Sequence, residues 1–445
     1  MTSKLLASAR PTFLQSDRRL ARAMQPVVRF LHVEAAGGIV LLLATAAALI
    51  WANSAWQDSY ESFWHTTIHI EIGSYTFDED LAHVVNDALM ALFFFVVGME
   101  IKRELVVGEL RDRRAVALPA LAALGGMLVP ALIYAAFNAG GPGADGWGIP
   151  MATDIAFALG VVALLGDRVP SAIKVLLLTL AIVDDIGAIA VIAIFYTDGL
   201  RPGMLLVAAG AAALVWAMHR VNVTSAALFV FAGIALWLAV YESGVHATIA
   251  GVVLGLVTPA RPTQSELESD EIVDVLENQP ELRAADVRET ATLIRGSVSP
   301  CDRLIEALHP WTSYVVLPIF ALANAGIPLS MDALRDPSDV MLGIILGLVV
   351  GKLVGIVLFS WLAVKLGLGT LPTGTSWRHM IGLAAVAGIG FTVSLFIAGL
   401  AFGPGAVQDE AKMGVLVASA VAAALGTLVF STISRTEVPE ADDQA

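Results

Sequence analysis

Long apolar blocks separated by polar segments form the dominant pattern of this chain. A block of about 20 apolar residues is long enough to cross a bilayer as an α-helix, and twelve stretches approach that length. The predicted spans cover residues 35–53, 82–101, 115–137, 148–166, 173–197, 203–219, 224–241, 245–259, 312–328, 340–363, 379–402 and 412–433. The pattern therefore predicts an all-α polytopic membrane protein with twelve transmembrane helices.

A polar segment between the first two spans, residues 54–80, contains a short alternating pattern. Apolar and polar residues alternate over His65–Ile72, Gly73 and Ser74 supply a turn signal, and a second short run follows at Tyr75–Phe77. Two such runs around a two-residue turn are typical of a β-hairpin. An irregular loop is the alternative interpretation.

The other polar segments divide the chain. Residues 1–30 form a basic N-terminal segment, and residues 31–433 form the predicted membrane domain. Within that domain, residues 260–310 are rich in Glu and Asp, which favours an exposed, partly helical loop. The polar tail, residues 434–445, is expected to be disordered.

Composition agrees with the membrane class. Hydrophobic residues make up 57% of the chain and charged residues 15%, whereas soluble domains carry about 25% charged residues. The mean hydropathy is +0.77. Cys301 is the single cysteine, so an intrachain disulfide and a thiolate metal cluster are both excluded. The net charge of −14 indicates little about partners, since the acidic residues lie mostly in loops and tails.

The distribution of Lys and Arg predicts the orientation, because cytoplasmic loops are enriched in both. The N-terminal segment holds Lys4, Arg10, Arg18, Arg19, Arg22 and Arg29. The region at the end of the second span holds Lys102, Arg103, Arg111, Arg113 and Arg114. With the N-terminus inside, the outer loops hold Arg201, Arg335 and Lys412. We therefore expect both termini and the 260–310 loop in the cytoplasm, and the 54–80 hairpin segment on the periplasmic side.

Ionisable residues in the middle of three spans are the candidate functional group. Asp184 and Asp185 lie about 15 Å from either end of the fifth span, at about 1.5 Å per residue. Lys352 is central in the tenth span, and Asp154 follows Thr153 in the fourth. A charge at the bilayer centre costs roughly 2.5–3.5 kcal/mol on insertion scales. Four charged residues that bear this cost at a similar depth, on three different helices, predict one common site.

The residue types in this group indicate hard cations. Aspartate and threonine oxygens suit Na⁺, Li⁺ or protons better than soft metals. Adjacent helical residues point about 100° apart, so Asp184 and Asp185 cannot both face one partner. One of them can take the cation while the other pairs with Lys352. Two alternatives stay open: a permanently neutral Asp–Lys pair without a role in transport, and a helix-capping role for Asp154.

Glycine and proline interrupt two of the spans. The fourth begins with Gly146, Gly148 and Pro150, and the eleventh contains Gly388 and Gly390. Breaks at corresponding positions of two halves favour discontinuous helices at an ion site near the midplane. Spans 3–5 and 10–12 would then be inverted repeats. Ordinary glycine packing between helices is the alternative.

Several long motifs give the chain a family resemblance. They are PMATDIAFALG at 150–160, TLAIVDDIGAIA at 179–190, VGMEIKREL at 97–105, GVHATIAG at 244–251, LHPW at 308–311, ALANAGI at 321–327, GKLVG at 351–355 and GIGFTVSLFIAGLAF at 388–402. Together they resemble the NhaA family of sodium/proton antiporters. The similarity runs from about residue 30 to about residue 433 and is interrupted mainly by residues 260–300.

The resemblance implies a twelve-helix inverted-repeat fold in the bacterial inner membrane and a homodimer formed through the 65–77 hairpin. It implies electrogenic exchange of cytoplasmic Na⁺ or Li⁺ for external protons, which serves pH and sodium homeostasis. Its partners would be Na⁺, Li⁺, protons and the lipid bilayer, with no nucleic acid, no cofactor and no enzymatic reaction.

The resemblance also assigns residues by motif position. Asp184 and Asp185 match the ion-binding aspartate pair, Asp154 and Thr153 match the crossing of the broken helices, and Lys352 matches the buried lysine that pairs with the first aspartate. The Na⁺ ligands would be Asp185, Asp184 and Asp154. A charged cluster associated with pH response corresponds to Glu100, Arg103, Glu104, Glu306 and His309.

The chain departs from the family pattern in this last region. Ile305 stands where an acid is common, and Glu306 stands where a histidine is common, so the pH set-point is not transferable. Leu353 follows Lys352 where proline is frequent, which bears only on local helix shape.

Three other classes share single features with the sequence. An intramembrane aspartyl protease also uses two buried aspartates, but the GxGD motif is missing here. A passive channel would present rings of charges or carbonyls in an oligomeric pore. A sodium-coupled symporter of an organic solute, on a similar repeated scaffold, is the closest rival.

Overall fold

The computed structural model describes residues 35–73, 75–111, 116–197, 199–221, 223, 225–262 and 296–433. The predicted N-terminal segment, the tail and most of the 260–300 insertion lie outside these residues. The helices are α1 Ala35–Ala52, α2 Gln57–Trp64, α3 Leu81–Val106, α4 Ala117–Asn138, α5 Ile155–Leu165, α6 Ser171–Phe195, α7 Pro202–Arg220, α8 Ala226–Tyr241, α9 Thr248–Val257, α10 Pro300–Asn324, α11 Met331–Arg335, α12 Asp339–Lys365, α13 Trp377–Val386, α14 Phe391–Ala401 and α15 Ala406–Ser431.

The described part of the chain is mostly helical, as the sequence predicts. Eight of its helical segments are long and apolar enough to cross a membrane, or up to ten if two bent pairs each count as one span. Two further helices, α8 and α9, are also apolar but shorter. The chain is therefore a multi-pass membrane protein.

The predicted hairpin is confirmed. Strand β1, Thr67–Ile72, pairs antiparallel with strand β2, Tyr75–Asp80. Gly73 adopts a φ of +64°, a conformation that glycine reaches without a Cβ clash.

The helix α2 before the hairpin was not predicted. Its sequence is polar, yet it buries Tyr60 and Trp64, and the Tyr60 hydroxyl donates to the carbonyl of Leu322 at 2.8 Å. Two aromatic anchors therefore hold this otherwise polar helix against the bundle.

The 260–310 loop ends earlier than predicted. The Ser299 side chain caps α10 by accepting from the Asp302 amide at 3.0 Å, and the helix then runs from Pro300 without interruption into the predicted span. Its first turns bury Cys301 and Ile305 and expose charged residues on the other side. That amphipathic composition lowers the local hydropathy, so an apolar-block criterion places the start of the span too late.

Glycines bring pairs of helices into close contact. Between α4 and α12, a Cβ on Gly355 would collide with the carbonyl oxygen of Gly125. Between α3 and α9, a Cβ on Gly98 would lie 2.7 Å from the Val252 carbonyl oxygen. Small residues at such crossings allow backbones to approach in a membrane, where helices associate by packing.

Replacing Gly355 by alanine should therefore destabilise the protein. Overpacking a tight contact costs about 1–3 kcal/mol, which exceeds the gain in helix propensity of up to about 1 kcal/mol. The matched control is Gly210→Ala in α7, where an added Cβ meets nothing within 4 Å. Thermal unfolding of the purified variants should show a lower midpoint for Gly355→Ala and no loss for Gly210→Ala. Equal midpoints would contradict the packing argument.

Candidate functional site

Two interrupted helices lie side by side in the interior. The first begins with a 3₁₀ stretch, Ala144–Met151, and after extended backbone at 152–154 continues as α5. The second consists of α13 and α14, which meet at 47° across residues 387–390. Gly146, Gly148 and Pro150 explain the first interruption, and Gly388 and Gly390 explain the second, because neither glycine nor proline supports a regular helix interior. Both predicted breaks are confirmed.

Direct hydrogen bonds join the two breaks. The Asp154 amide donates to the Ile389 carbonyl at 2.7 Å. The Ser394 hydroxyl donates to the Ile149 carbonyl at 2.7 Å. Unwound backbone at such depth requires partners within the protein, and each break here supplies partners to the other.

The Asp154 carboxylate caps both half-helices. One oxygen accepts from the Phe157 amide at 2.9 Å, at the start of α5. The other accepts from the Thr392 amide at 3.0 Å and from the Thr392 hydroxyl at 2.6 Å, at the start of α14. A negative charge is favourable at helix N-termini. The geometry therefore supports the capping alternative for Asp154.

Lys352 lies at the centre of a buried polar cluster. Its amine forms an ion pair with Asp184 and donates to the Thr153 hydroxyl at 2.9 Å. The Thr153 oxygen is also 2.6 Å from Asp184 Oδ2 and 3.0 Å from the Ala387 carbonyl. The side chains of Lys352 and Asp184 are fully buried. The resemblance pairs Lys352 with the first aspartate, Asp184, and the structure contains this ion pair.

The two adjacent aspartates have different surroundings. Asp184 has one oxygen in the ion pair, while its Oδ1 is buried without a hydrogen-bond partner. Asp185 is 5% exposed. Within the described residues Asp185 makes no hydrogen bond or ion pair, although Asp184, Glu100 and Lys352 are near enough to interact with it electrostatically. The Oδ1 atom of Asp184 and the carboxylate of Asp185 therefore accept no hydrogen bond from the described residues.

The three aspartates do not converge on one metal position in this conformation. Across the part of the chain that the structure describes, no three His, Cys, Asp or Glu side chains form a cluster suited to a metal ion. Asp154 is occupied by the two helix N-termini and one Asp184 oxygen by Lys352. The carboxylate oxygens that remain without a described hydrogen-bond donor are those of Asp185 and the Oδ1 atom of Asp184.

The candidate pH-response residues lie in two places. Glu100, Arg103 and Glu104 occupy the last turns of α3, where Arg103 and Glu104 approach to 3.5 Å. Glu306 and His309 lie on the exposed side of α10. These helices contact through a small core that contains Ile305 and Met99. Ile305, which replaces a common acid, is therefore a packing residue here.

Sequence reasoning missed several residues that hold the site. Thr392 appeared only as part of a motif, although it supplies two donors to Asp154. The hydroxyl of Tyr134 donates to the Gly143 carbonyl and that of Tyr196 to the Asp145 carbonyl, both at 2.7 Å. These contacts fix the 3₁₀ stretch. In the sequence, each of these three residues is only a hydroxyl group within an apolar stretch. Such a pattern does not indicate which carbonyl or carboxylate the hydroxyl binds.

The fold and this site define a multi-pass membrane protein with paired discontinuous helices and a buried charged cluster. The profile of the family described as Na⁺/H⁺ antiporter 1 matches residues 28–430. The chain belongs to this family, and the resemblance seen in the motifs is confirmed.

Individual relatives match over nearly their whole length. The Na⁺/H⁺ antiporter NhaA of Rhodopirellula baltica is 50% identical over 413 residues, covering 91% of this chain and 93% of the relative. The Na⁺/H⁺ antiporter NhaA 2 of Sorangium cellulosum is 48% identical, covering 99% of this chain and 98% of the relative. The NhaA of Acidithiobacillus ferrooxidans is 46% identical, with 93% and 98% covered.

Removing the Thr392 hydroxyl should weaken the junction of the broken helices. Thr392→Val keeps the shape and the amide but loses the hydroxyl donor to Asp154, and a hydrogen bond to a charged group contributes about 1.5–3 kcal/mol. Thr179→Val is the control, because its hydroxyl donates at 3.0 Å to the Val175 carbonyl within α6. We expect a larger fall in thermal midpoint for Thr392→Val. A smaller fall than in the control would argue against the junction.

The ion pair should show strong coupling between its members. Either Asp184→Asn or Lys352→Met leaves one buried charge unpaired, which costs about 3–5 kcal/mol. The double variant removes both charges and should be less destabilised than the sum of the single variants. The free energy of unfolding of all four proteins measures this coupling. Additive losses would show that the two charges do not stabilise each other.

Proposed function

We propose that the chain is an electrogenic sodium/proton antiporter of the bacterial plasma membrane, which exchanges cytoplasmic Na⁺ or Li⁺ for external protons. Membership of the Na⁺/H⁺ antiporter 1 family supports the reaction class. The carrying observation is Asp185, a buried carboxylate without a described protein partner, beside the Asp184–Lys352 pair.

Competition for this carboxylate is the proposed basis of exchange. A buried ionised carboxylate without a partner is unfavourable, and either a proton or a cation can neutralise it. Asp185 would hold one or the other, with the second oxygen of Asp184 as a further Na⁺ ligand. A site that opens to one side at a time would then couple outward Na⁺ movement to inward proton movement.

The second proton carrier has two candidates. If Na⁺ draws Asp184 away from Lys352, the lysine loses its counter-charge and can release a proton. Alternatively, Asp184 itself is protonated when Na⁺ leaves. Strongly interacting groups titrate jointly, so we assign the second proton to the Asp184–Lys352 pair as a unit.

Asp154 has a structural part in this proposal. Its carboxylate fixes both helix N-termini at the crossing, and it lies near enough to act on Asp185 electrostatically. We propose that it holds the positively polarised helix ends in place and that it contacts Na⁺ only when the crossing rearranges. The Thr153 hydroxyl donates to Asp184, so a rearrangement of the crossing would also change the hydrogen bonding of the ion pair.

We propose a twelve-span architecture for the membrane domain. Twelve crossings would follow if both bent pairs and the two short helices α8 and α9 are counted, with spans 3–5 and 10–12 as inverted repeats and both termini cytoplasmic. Residues 31–433 would form the transporter domain, with residues 1–30 and 434–445 as cytoplasmic ends. Glu100, Arg103, Glu104, Glu306 and His309 would tune the response to cytoplasmic pH.

The hairpin is the proposed dimer contact. It is a two-stranded sheet, so each strand has an edge without a strand partner in the described chain. Such an edge pairs readily with another strand. A second copy that presents the same edge would extend the sheet around a two-fold axis.

Replacing Asp185 by asparagine should abolish exchange. The neutral amide cannot exchange a proton for a cation, so addition of Na⁺ or Li⁺ to acidified everted vesicles should release no protons. A pH-sensitive dye in vesicles from a host without its own antiporters measures this release. Asp336→Asn, at an exposed position, is the control and should retain wild-type exchange. Persistent exchange in the Asp185 variant would remove this residue from the site.

A further inference from the structure

An apolar groove runs along the outer face of α12. Its volume is about 540 Å³, and its lining residues are Leu353, Val354, Val357, Leu358, Trp361 and Trp377. The first five share one face of α12 and extend over about 12 Å at about 1.5 Å per residue. Trp377, the first residue of α13, forms the opposite wall at one end.

The groove lies on the opposite side of α12 from the charged cluster. Lys352, Gly355, Ile356, Ser360 and Ala363 are buried within the bundle. Val354, Leu358 and Trp361 in the groove are between 42% and 48% exposed. The groove therefore opens outward, toward the space that lipid fills around a membrane protein.

The side chain of Lys365 places a positive charge at one end of the groove. Lys365, the last residue of α12, holds its amine 4.6 Å from the centroid of the Trp361 ring. Lysine four residues beyond tryptophan occupies the same helix face one turn further on. The cation–π contact, which contributes about 0.5–1 kcal/mol at exposed sites, keeps the charge beside the groove.

This cation has no anionic partner in the described chain. Lys365 forms no salt bridge with another described residue. The sequence between Asp339 and Asp409 contains no Asp or Glu, whereas it contains Arg378 at the start of α13. The end of the groove is thus locally positive, and an anion from outside the protein would neutralise it.

We propose that the groove binds one anionic phospholipid of the surrounding bilayer. The acyl chain would lie against Val354, Val357 and Leu358, and the phosphate would contact the Lys365 amine. Tryptophan favours the head-group level of a membrane, and a lysine near a helix end extends its amine to the same level. The order of groove, Trp361 and Lys365 along α12 agrees with both preferences. The apolar wall selects a lipid over a soluble anion, and the lysine selects a negative head group.

Native mass spectrometry of the purified full chain tests this proposal. The probes are phosphatidylglycerol and phosphatidylcholine with identical acyl chains. Wild type should bind phosphatidylglycerol more tightly. Lys365→Gln should weaken phosphatidylglycerol binding about fivefold, as expected for one surface cation, and leave phosphatidylcholine binding unchanged. Val354→Trp, which fills the groove, should weaken both lipids while the cation remains.

A second cation–tryptophan pair provides the matched control. Arg220 lies 5.0 Å from the Trp216 ring at the end of α7, and Arg220→Gln should not change phosphatidylglycerol binding. An equal loss in this variant would indicate general attraction of anionic lipid and would overturn the proposed site. Wild-type affinity in Lys365→Gln would overturn it too, as would displacement of the lipid by inorganic phosphate.

Discussion

Lys352 and Asp184 place opposite charges in contact where both side chains are fully buried. Neither charge would be stable there alone, because an unpaired buried ion carries a large desolvation cost. Their contact consequently fixes α12 against α6, and the Thr153 hydroxyl extends it to the first broken helix. The relative positions of three elements therefore depend on one electrostatic interaction.

The unwound segments satisfy a second constraint, which is that buried backbone groups need hydrogen-bond partners. The Asp154 amide donates to Ile389, its carboxylate accepts from Thr392, and Ser394 binds the Ile149 carbonyl. Each break thus completes the hydrogen bonding of the other. Glycine at the crossing permits this approach, since a Cβ on Gly390 would lie 3.2 Å from the Ala152 carbonyl oxygen.

The sequence predicted features that depend on local pattern and missed those that depend on tertiary contacts. The hairpin, both helix breaks and the burial of Asp184 and Lys352 follow from alternation, Gly and Pro positions, and span length. Residue spacing alone left open which aspartate meets Lys352, and only the resemblance indicated Asp184. The polar helix α2 and the early start of α10 were missed, because buried aromatic or aliphatic anchors such as Tyr60 and Ile305 outweigh their polar composition.

The turn Gly347–Gly351, directly before Lys352, is π-helical. A π-type turn contains one residue more than an α-turn, and one residue corresponds to about 100° of rotation about the helix axis. The wide turn therefore sets the angular phase of the second half of α12 relative to its first half. With this phase Lys352 and Gly355 point toward α4, and Leu353 and Trp361 point toward the groove. A regular helix with one residue fewer would direct the lysine away from Asp184, so a single inserted residue determines that the amine faces the protein interior.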